Sequence, residues 1–289
     1  GITLRGDGLG EPGETGWTKI DFRPSSENGV AISLDGAGQE TWTGTTTAIT
    51  AASMTKGAET ITVASTTDFV VGRTARIKVG NGSSTTFPVV KFDALDGQVH
   101  FFPVEITEIV DSTHLKVSPK IYRDFTGATN MTITAAQYAA GSVGAGIENI
   151  HIDGENVNRA GGKKLFHGIY IGSLARNVWL KNVKVTNYDN HGVYIMDGVR
   201  HEIIDCRLEN AYGSGTNHAG LLVDSANGLL VWNSIFRRGS PGVELNMGVV
   251  GSAVAYNFFD SNYTGLNFDI NHGPLNSHNL YEGNYSPGI

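Results

Sequence analysis

A four-residue unit, made of glycine, an apolar residue, any residue and a second apolar residue, recurs five times in the second half of the chain. The units begin at Gly168, Gly192, Gly220, Gly242 and Gly265, and successive starts lie 24, 28, 22 and 23 residues apart. Apolar residues at alternate positions indicate a short β-strand with one buried face. A short strand that recurs at this period indicates a stack of similar coils, each burying its apolar face against its neighbours.

A second short strand-like run lies between successive units, so each coil holds two or three strands. These runs are 178–180, 202–204, 229–231, 253–255 and 279–281. Helical spacing of apolar residues is hard to find. Glycine, at 38 of 289 residues, would also cost about 1 kcal/mol at each helix-interior position. The sequence therefore predicts an all-β solenoid.

Charge and hydropathy exclude several classes of protein. The net charge is −7, and the longest basic runs are the pairs Lys163-Lys164 and Arg237-Arg238, so a nucleic-acid-binding surface is not expected. No apolar run approaches the roughly 20 residues of a membrane-spanning helix, so no membrane span is expected. The single cysteine, Cys206, cannot form an intrachain disulfide.

Small polar or thiol side chains recur two residues after an apolar residue of the second runs. They are Asn182, Cys206, Asn233 and Asn257. We interpret them as one ladder at an inward bend, where each side chain hydrogen-bonds the bent backbone and the equivalent residue one coil away. As a member of that ladder, Cys206 is expected to be a buried structural thiol rather than a nucleophile.

Two segments resemble the first complete coils of a known superfamily. They are Gly-Ile-Thr-Leu-Arg-Gly-Asp-Gly at 1–8, followed by Thr-Lys-Ile-Asp-Phe at 18–22, and Gly-Ile-Glu-Asn-Ile-His-Ile-Asp-Gly at 146–154. The sequence resembles the right-handed parallel β-helix proteins of the pectate-lyase-like superfamily, which contains pectate lyases, polygalacturonases and phage tailspikes. The resemblance covers residues 1–36 and 140–289. It implies a secreted or cell-surface protein whose partner is a polysaccharide.

Between these two regions the coil period is absent. Longer strand-like runs replace it at 59–63, 73–79, 99–106 and 114–118, separated by glycine, aspartate and serine turns. This resembles the small all-β insertion of some bacterial members of the superfamily. We therefore expect N-terminal β-helix coils at 1–40, an all-β insertion subdomain at 41–139, and further coils at 140–289 that are truncated at the C-terminal end.

Residues between the apolar positions of each unit point away from the core, so equivalent residues form columns along the stack. The first column is Tyr170, Tyr194, Leu222, Glu244 and Asn267, and the next is Gly172, Met196, Asp224, Asn246 and Asp269. With coils stacked at about 4.8 Å, Glu244 is expected one coil from both Asp224 and Asp269, which are about 9.6 Å apart. These three acids are the candidate catalytic residues.

The three carboxylates have two chemical uses and one non-catalytic interpretation. Two acids about 6.5–9.5 Å apart serve as general acid and water-activating base in inverting glycoside hydrolysis. Together with Asn246, the three acids are instead oxygen ligands suited to Ca²⁺, and the resemblance implies a lyase in which that ion bridges a uronate substrate. On a non-catalytic polysaccharide-binding, adhesin or tailspike-like module, the same residues are solvated surface. No cofactor other than calcium is indicated.

Other side chains near this face are candidate substrate-binding residues. They are Tyr170, Tyr194, His191, His218, Asn246, Arg237, Arg238 and His272. The tyrosine pair offers a flat surface to sugar rings, and the histidines surround the rim. A further outward column on another sheet contains Lys181, Asp205, Trp232 and Tyr256. Its two aromatic residues either form a separate sugar platform or pack beneath a loop.

The catalytic motifs of the best-known enzymes of the superfamily are not present. Val-Trp-Leu-Lys-Asn at 178–182 stands where pectate lyases have Val-Trp-Ile-Asp-His, and the polygalacturonase motifs Asn-Thr-Asp and Gly-His-Gly do not occur. The resemblance therefore specifies the fold better than the reaction. Lyase, hydrolase and binder remain open alternatives, as does the oligomeric state.

Overall fold

A computed structural model describes residues 1–11, 15–22, 29–34, 44–80, 100–136, 142–155, 165–173, 175–212, 218–260, 267–271 and 276–287. The strands are β1 (Thr3–Arg5), β2 (Lys19–Asp21), β3 (Gly29–Leu34), β4 (Thr46–Ala48), β5 (Thr60–Thr62), β6 (Thr74–Gly80), β7 (His100–Ile109), β8 (His114–Ser118), β9 (Thr129–Ala135), β10 (Gly146–Asp153), β11 (Leu165–Ile171), β12 (Trp179–Thr186), β13 (His191–Met196), β14 (Glu202–Ile204), β15 (Arg207–Glu209), β16 (Leu221–Asp224), β17 (Leu230–Trp232), β18 (Ile235–Arg237), β19 (Val243–Asn246), β20 (Ala253–Ala255), β21 (Phe258–Asp260), β22 (Phe268–Asn271) and β23 (Leu280–Glu282). A 3₁₀ turn spans Ala51–Ser53. Within these ranges no helix is long and apolar enough to cross a membrane.

Two parallel sheets wrap around a common core. The first sheet contains β1, β2, β10, β12, β14, β15, β17, β18, β20, β21 and β23, and the second contains β3, β11, β13, β16, β19 and β22. Successive coils pair in parallel, so that β14, β15 and β16 of one coil bond to β17, β18 and β19 of the next. The predicted fold class is confirmed: the protein is all-β, a right-handed parallel β-helix, with the hand that nearly all parallel crossovers take.

The glycines that open the first three repeats, Gly168, Gly192 and Gly220, lie at corners where a side chain has no room. At Gly168 a Cβ atom would lie 2.4 Å from Val185 Cγ1 and 2.5 Å from the carbonyl oxygen of Gly192. At Gly220 it would lie 2.6 Å from the carbonyl oxygen of Gly242. The recurring glycine is therefore required by the close approach of the next coil's backbone.

Each coil also bends within the first sheet at a residue with left-handed backbone geometry. The equivalent residues are Asn149, Asn182, Asp205, Asn233, Tyr256 and Gly283, with φ values of 57°, 51°, 55°, 47°, 56° and 62°. Asparagine, aspartate and glycine adopt this conformation most readily. Side chains in this bend column also bond from coil to coil, since Asn182 Nδ2 donates to Asn149 Oδ1 (2.8 Å) and Asn233 Nδ2 donates to Asp205 Oδ1 (2.7 Å).

The single ladder predicted from sequence is wrong, because its members belong to two columns. Asn182 and Asn233 lie in the bend column, whereas Cys206 and Asn257 lie one residue later in a buried column. In that buried column the Ser234 N–H donates to Asn257 Oδ1 (2.9 Å), and the Cys206 N–H donates to Ser234 Oγ (3.1 Å). The buried column satisfies backbone groups that the bend leaves without a strand partner.

The prediction placed each ladder residue two positions after an apolar residue of its strand, but those apolar residues are not at equivalent positions. Leu180 and Val231 are the second residues of their strand segments, whereas Ile204 and Ala255 are the third. The expectation for Cys206 itself is confirmed. Its side chain is buried, and burial raises the pKa of the thiol to about 12.

Another buried column of side-chain acceptors lies at the corner where each coil enters the first sheet. The Val178 N–H donates to His201 Nδ1 (3.1 Å), the Leu229 N–H donates to Ser252 Oγ (3.1 Å), and the Ser252 N–H donates to Asn279 Oδ1 (2.9 Å). A histidine thus occupies one position of a column that serine and asparagine occupy in later coils. Burial lowers the pKa of His201 to about 3, so the ring is neutral at ordinary pH.

An antiparallel sheet with strand order β4-β9-β6-β7-β8-β5 follows β3 in the chain and precedes β10. It has its own core, which includes the stacked rings of Phe102 and Phe125. The boundaries expected at 40 and 139 lie outside the described residues and remain a prediction.

This antiparallel sheet is attached along the side of the β-helix. Glu105 pairs with Arg176 (3.2 Å) and with Arg200. Further along the stack, Asn227 Nδ2 donates to the carbonyl oxygen of Pro103 (3.1 Å). Equivalent corner positions of successive coils are occupied by Arg176, Val199, Asn227, Val250 and Ser277. Val250 belongs to the core of the insertion, and the residue after Ser277, His278, contacts the Tyr122 ring.

Candidate functional site

The second sheet brings the candidate carboxylates onto one outward face. Asp224 of β16 pairs with Asn246 of β19, and Glu244 of β19 pairs with Asp269 of β22. Val243 and the other inward residues of these strands belong to the β-helix core. The opposite faces of β16 and β19 are fully packed, whereas on β22 Phe268 is partly buried and Ile270 is 49% exposed.

The column position predicted for Asp269 is wrong by two residues. The spacing of the repeats predicts Asn267 beside Glu244, but the structure pairs Phe268 with Val243 and so puts Asp269 beside Glu244. A shift of two residues keeps a side chain on the same face of a strand. The predicted face is thus retained, while the neighbours within it change.

The corrected register changes the separations between acids. Directly paired backbone positions lie about 4.8 Å apart, so Glu244 and Asp269 are close neighbours. Asp224 and Glu244 differ by one coil and two residues, which separates their backbone positions by about 8 Å. By the same geometry, Asp224 and Asp269 lie about 12 Å apart instead of the expected 9.6 Å. Glu244 is therefore the member of the group that lies within reach of both other acids.

The face is less accessible than the sequence suggests. Glu244 and Asn246 are each 5% exposed, and Leu222 between the acids and the tyrosines is 9% exposed. Among the described residues, Asn246 Oδ1 is buried without a hydrogen-bond partner. A buried amide oxygen costs free energy unless a donor satisfies it, so this position favours a ligand that brings a hydroxyl or amide group.

Asp224 is held in place by a tyrosine of the preceding coil. The Tyr194 hydroxyl donates to Asp224 Oδ2 (2.7 Å). Burial, together with the negative charge of Asp224, raises the pKa of Tyr194 far above its usual value. The tyrosine therefore stays protonated and serves as a donor that orients the carboxylate.

Aromatic side chains form a cluster on the N-terminal side of the acids. Tyr170 and Tyr194 are adjacent, with ring centroids 5.4 Å apart, and the rings of His167 and His191 stack at 5.1 Å with an interplanar angle of 11°. Burial lowers the pKa of His167 to about 4 and lowers that of His191 well below its usual value. Both imidazoles are therefore neutral at pH 7 and suited to hydrogen bonding rather than to binding an anion.

The sequence predicts His167 at the rim of this face together with His191, because each precedes the glycine of its coil. The structure pairs the two residues in adjacent strands. His167 was not included among the candidate binding residues, and its ring contacts with His191, Tyr170 and Tyr194 add it to that group.

The remaining predicted binding residues do not join the acids. His218 Nδ1 contacts the carbonyl oxygen of Asp189 and lies at the edge of the histidine cluster. Arg237 was expected on a turn that reaches the second sheet; it instead belongs to β18 of the first sheet, where it pairs with Asp260 (2.9 Å) and lies 3.7 Å from Glu209. Arg238 occupies a left-handed bend after that strand. His272 lies outside the described residues.

The described residues do not fit the expected calcium site. Nowhere among them do three histidine, cysteine, aspartate or glutamate side chains lie close enough to hold a metal ion together. Asp224, Glu244 and Asp269 are spread over three coils and two column positions. Calcium binding therefore stays a prediction, and no chemical step is assigned to the ion.

Comparison with known proteins shows the fold. No family model matches the chain, and no curated protein matches it. The solved tailspike gp49 from Pseudomonas phage LKA1 matches with a TM-score of 0.61 and 17% identity over 93% of this chain and 42% of that one. The tailspike gp61 from Pseudomonas phage phi297 matches with a TM-score of 0.55 and 13% identity over 90% of this chain and 39% of that one. The chain spans less than half the length of each tailspike.

Proposed function

We propose that this protein hydrolyses glycosidic bonds of an extracellular polysaccharide at the outward face of the second sheet, with Glu244 as the central acid. The observation that carries the proposal is the strand register, which places Glu244 directly beside Asp269 and one coil from Asp224. The similarity in fold to phage tailspikes supports a polysaccharide as the partner.

Two pairs of acids on this face are suited to hydrolysis. Glu244 and Asp269 can approach the carboxyl separation of about 5–5.5 Å used by retaining glycosidases, in which one acid protonates the leaving oxygen and the other forms a glycosyl ester that water then cleaves. The backbone positions of Asp224 and Glu244 are about 8 Å apart, which allows their carboxyl groups the separation of about 6.5–9.5 Å used by inverting enzymes, in which the second carboxylate activates water. Glu244 belongs to both pairs and protonates the leaving oxygen in each.

Hydrolysis is favoured over elimination by the positions of the arginines. A lyase needs a base to remove the proton α to the uronate carboxylate and a cation to stabilise the resulting charge. Arg237, a candidate substrate-binding residue that could have stabilised this charge, is held by Asp260 on the first sheet.

A second candidate function, non-catalytic polysaccharide binding, is favoured by burial. Glu244 is only 5% exposed, whereas a general acid must reach the glycosidic oxygen of its substrate. In this alternative the half-buried tyrosine pair Tyr170 and Tyr194 contacts the polysaccharide.

The test is to incubate the protein with pectins, alginates, hemicelluloses and bacterial capsular polysaccharides, with and without calcium, and to measure reducing ends and unsaturated uronates. We expect reducing ends without unsaturated products. Glu244→Gln should slow their release roughly 10²- to 10⁴-fold, as expected for loss of a general acid. The matched control is Glu202→Gln, an exposed acid on the first sheet, which should leave the rate unchanged.

The anomer formed first, followed by proton NMR, identifies the partner of Glu244. Retention of the anomeric configuration assigns Asp269 as the nucleophile, and inversion assigns Asp224 as the base that activates water. Replacing the assigned aspartate by asparagine should abolish activity. The hydrolase proposal is refuted if no polysaccharide in the panel yields reducing ends, or if Glu244→Gln remains fully active. Retained binding without cleavage would instead establish the binding module.

A further inference from the structure

Two exposed aromatic side chains lie together on the first sheet, away from the carboxylate face. Trp232 is 41% exposed and Tyr256 is 48% exposed. Their ring centroids are 4.6 Å apart at an interplanar angle of 56°. The sequence places both in one column, but the structure pairs Trp232 with Ala255, so Tyr256 follows one residue later, at the bend. Both rings are exposed, so they do not pack beneath a loop.

A groove of about 550 Å³ lies beside the Tyr256 ring, along the bend of the first sheet. Its lining residues come from successive coils and include Asn182, Asp205, Asn233, Tyr256 and Phe258. The volume lies within the range of about 300–1,000 Å³ that small-ligand sites occupy. Amide and carboxylate groups therefore recur at about 4.8 Å intervals along a surface bounded by aromatic rings.

Phe258, which also lines the groove, stacks on a second aromatic ring. The rings of Phe258 and Tyr285 stack at 5.4 Å with an interplanar angle of 14°, and Tyr285 is 60% exposed. A saccharide needs both kinds of surface that this groove combines, because sugar rings present apolar faces edged by hydroxyl groups. Aromatic rings cover the faces, and amides and carboxylates bond the hydroxyls.

Tyr256 is the exception in its column. Every other described member of the bend column is asparagine, aspartate or glycine, whereas Tyr256 holds a φ of 56°. A tyrosine adopts this conformation less readily than those residues, so its presence here is consistent with a role for the ring. Gly283 accommodates the ring, because a Cβ atom there would lie 2.6 Å from Tyr256 Cδ1.

We propose that this groove is a saccharide-binding site, separate from the carboxylate face, which takes a linear neutral polysaccharide along the solenoid axis with sugar rings against Trp232 and Tyr256. A neutral chain fits because the groove is lined by only one carboxylate, Asp205, and one guanidinium, Arg207. Arg207 already pairs with Glu11 at 2.9 Å.

The experiment measures binding of cello-, malto- and chito-oligosaccharides to the full chain by calorimetry and by tryptophan fluorescence. At least one oligosaccharide should bind and change the emission of Trp232. Trp232→Ala and Tyr256→Asn should each weaken binding roughly tenfold or more. Because asparagine is the residue that the bend prefers, Tyr256→Asn should leave the thermal midpoint unchanged or raise it, which separates loss of binding from loss of folding.

Two control variants complete the test. Trp17→Ala removes another exposed indole, 55% exposed and on the first coil, and should bind normally. Glu108→Gln changes an exposed acid of the insertion and should also bind normally. Binding is measured without cleavage, so the groove can be confirmed even if the hydrolase proposal fails. The inference is overturned if no oligosaccharide binds, or if Tyr256→Asn binds like the wild type. It is also overturned if sedimentation shows self-association that Tyr256→Asn abolishes, because the groove would then be an interface between copies of the chain.

Discussion

Replacing His201 by asparagine should make the stability of the protein less dependent on pH. The folded state keeps the ring neutral because burial lowers its pKa to about 3, whereas an unfolded histidine has a pKa of about 6.5. Between these values the unfolded state binds one more proton at this site, so stability falls as the pH falls. The contribution is complete above about pH 6.5 and decreases by about 1.4 kcal/mol per pH unit below it.

At pH 5 the loss from this one residue amounts to about 2 kcal/mol. Asparagine keeps a side-chain acceptor for the Val178 N–H, as Asn279 does for Ser252, but it does not titrate. On going from pH 7 to pH 5, the wild type should therefore lose about 2 kcal/mol more unfolding free energy than His201→Asn does. Urea titration of both proteins at the two pH values measures this difference. Other buried histidines lower both proteins equally and cancel in the difference.

Ser252→Ala is the matched control. It removes the acceptor for the Leu229 N–H in the same column and should cost about 1–3 kcal/mol at both pH values, because an unpaired buried donor carries no pH dependence. A stability difference between wild type and His201→Asn that stays constant from pH 7 to pH 5 would refute the reasoning.

Two further predictions concern packing and charge. Gly168→Ala should lower stability by about 3 kcal/mol in thermal unfolding, because the new Cβ would lie 2.5 Å from a backbone oxygen. The control is Gly16→Ala, whose Cβ would make only an ordinary 3.5 Å contact. That change should alter stability by no more than about 0.5 kcal/mol. Glu105→Gln should cost about 1–3 kcal/mol because it leaves Arg176 and Arg200 without their shared carboxylate. Glu108→Gln on the same strand breaks an exposed pair with Lys116 and should cost less than about 1 kcal/mol; equal losses for the two glutamates would contradict the assignment.

The coil architecture was predictable because it rests on a local rule. A glycine corner followed by alternating apolar residues is imposed by close packing, and it recurs in Gly168, Gly192 and Gly220. The outward face of the acids followed from the same alternation. Local patterns could not provide the register of the last coil, because an equivalent residue need not be glycine, and there Asn267 takes the corner position.

Contacts between coils and between sheets were also beyond the sequence. Arg237 precedes the second-sheet strand by only six residues, yet the first sheet holds it between two carboxylates. The burial of Glu244 likewise depends on what covers the coil from outside. Such long-range packing leaves no periodic trace in a single sequence.

The insertion has a consequence for how the molecule comes apart. Stacked coils that touch only their neighbours can fray one at a time from either end. Here the antiparallel sheet contacts the corner residues Arg176, Asn227 and Val250, and also His278, which follows the corner residue Ser277. It therefore connects coils that do not contact one another directly. Unfolding of a middle coil must therefore strain or break the contacts between the antiparallel sheet and the β-helix. The β-helix should melt as one cooperative unit, and limited proteolysis should cut both modules together rather than trim the stack coil by coil.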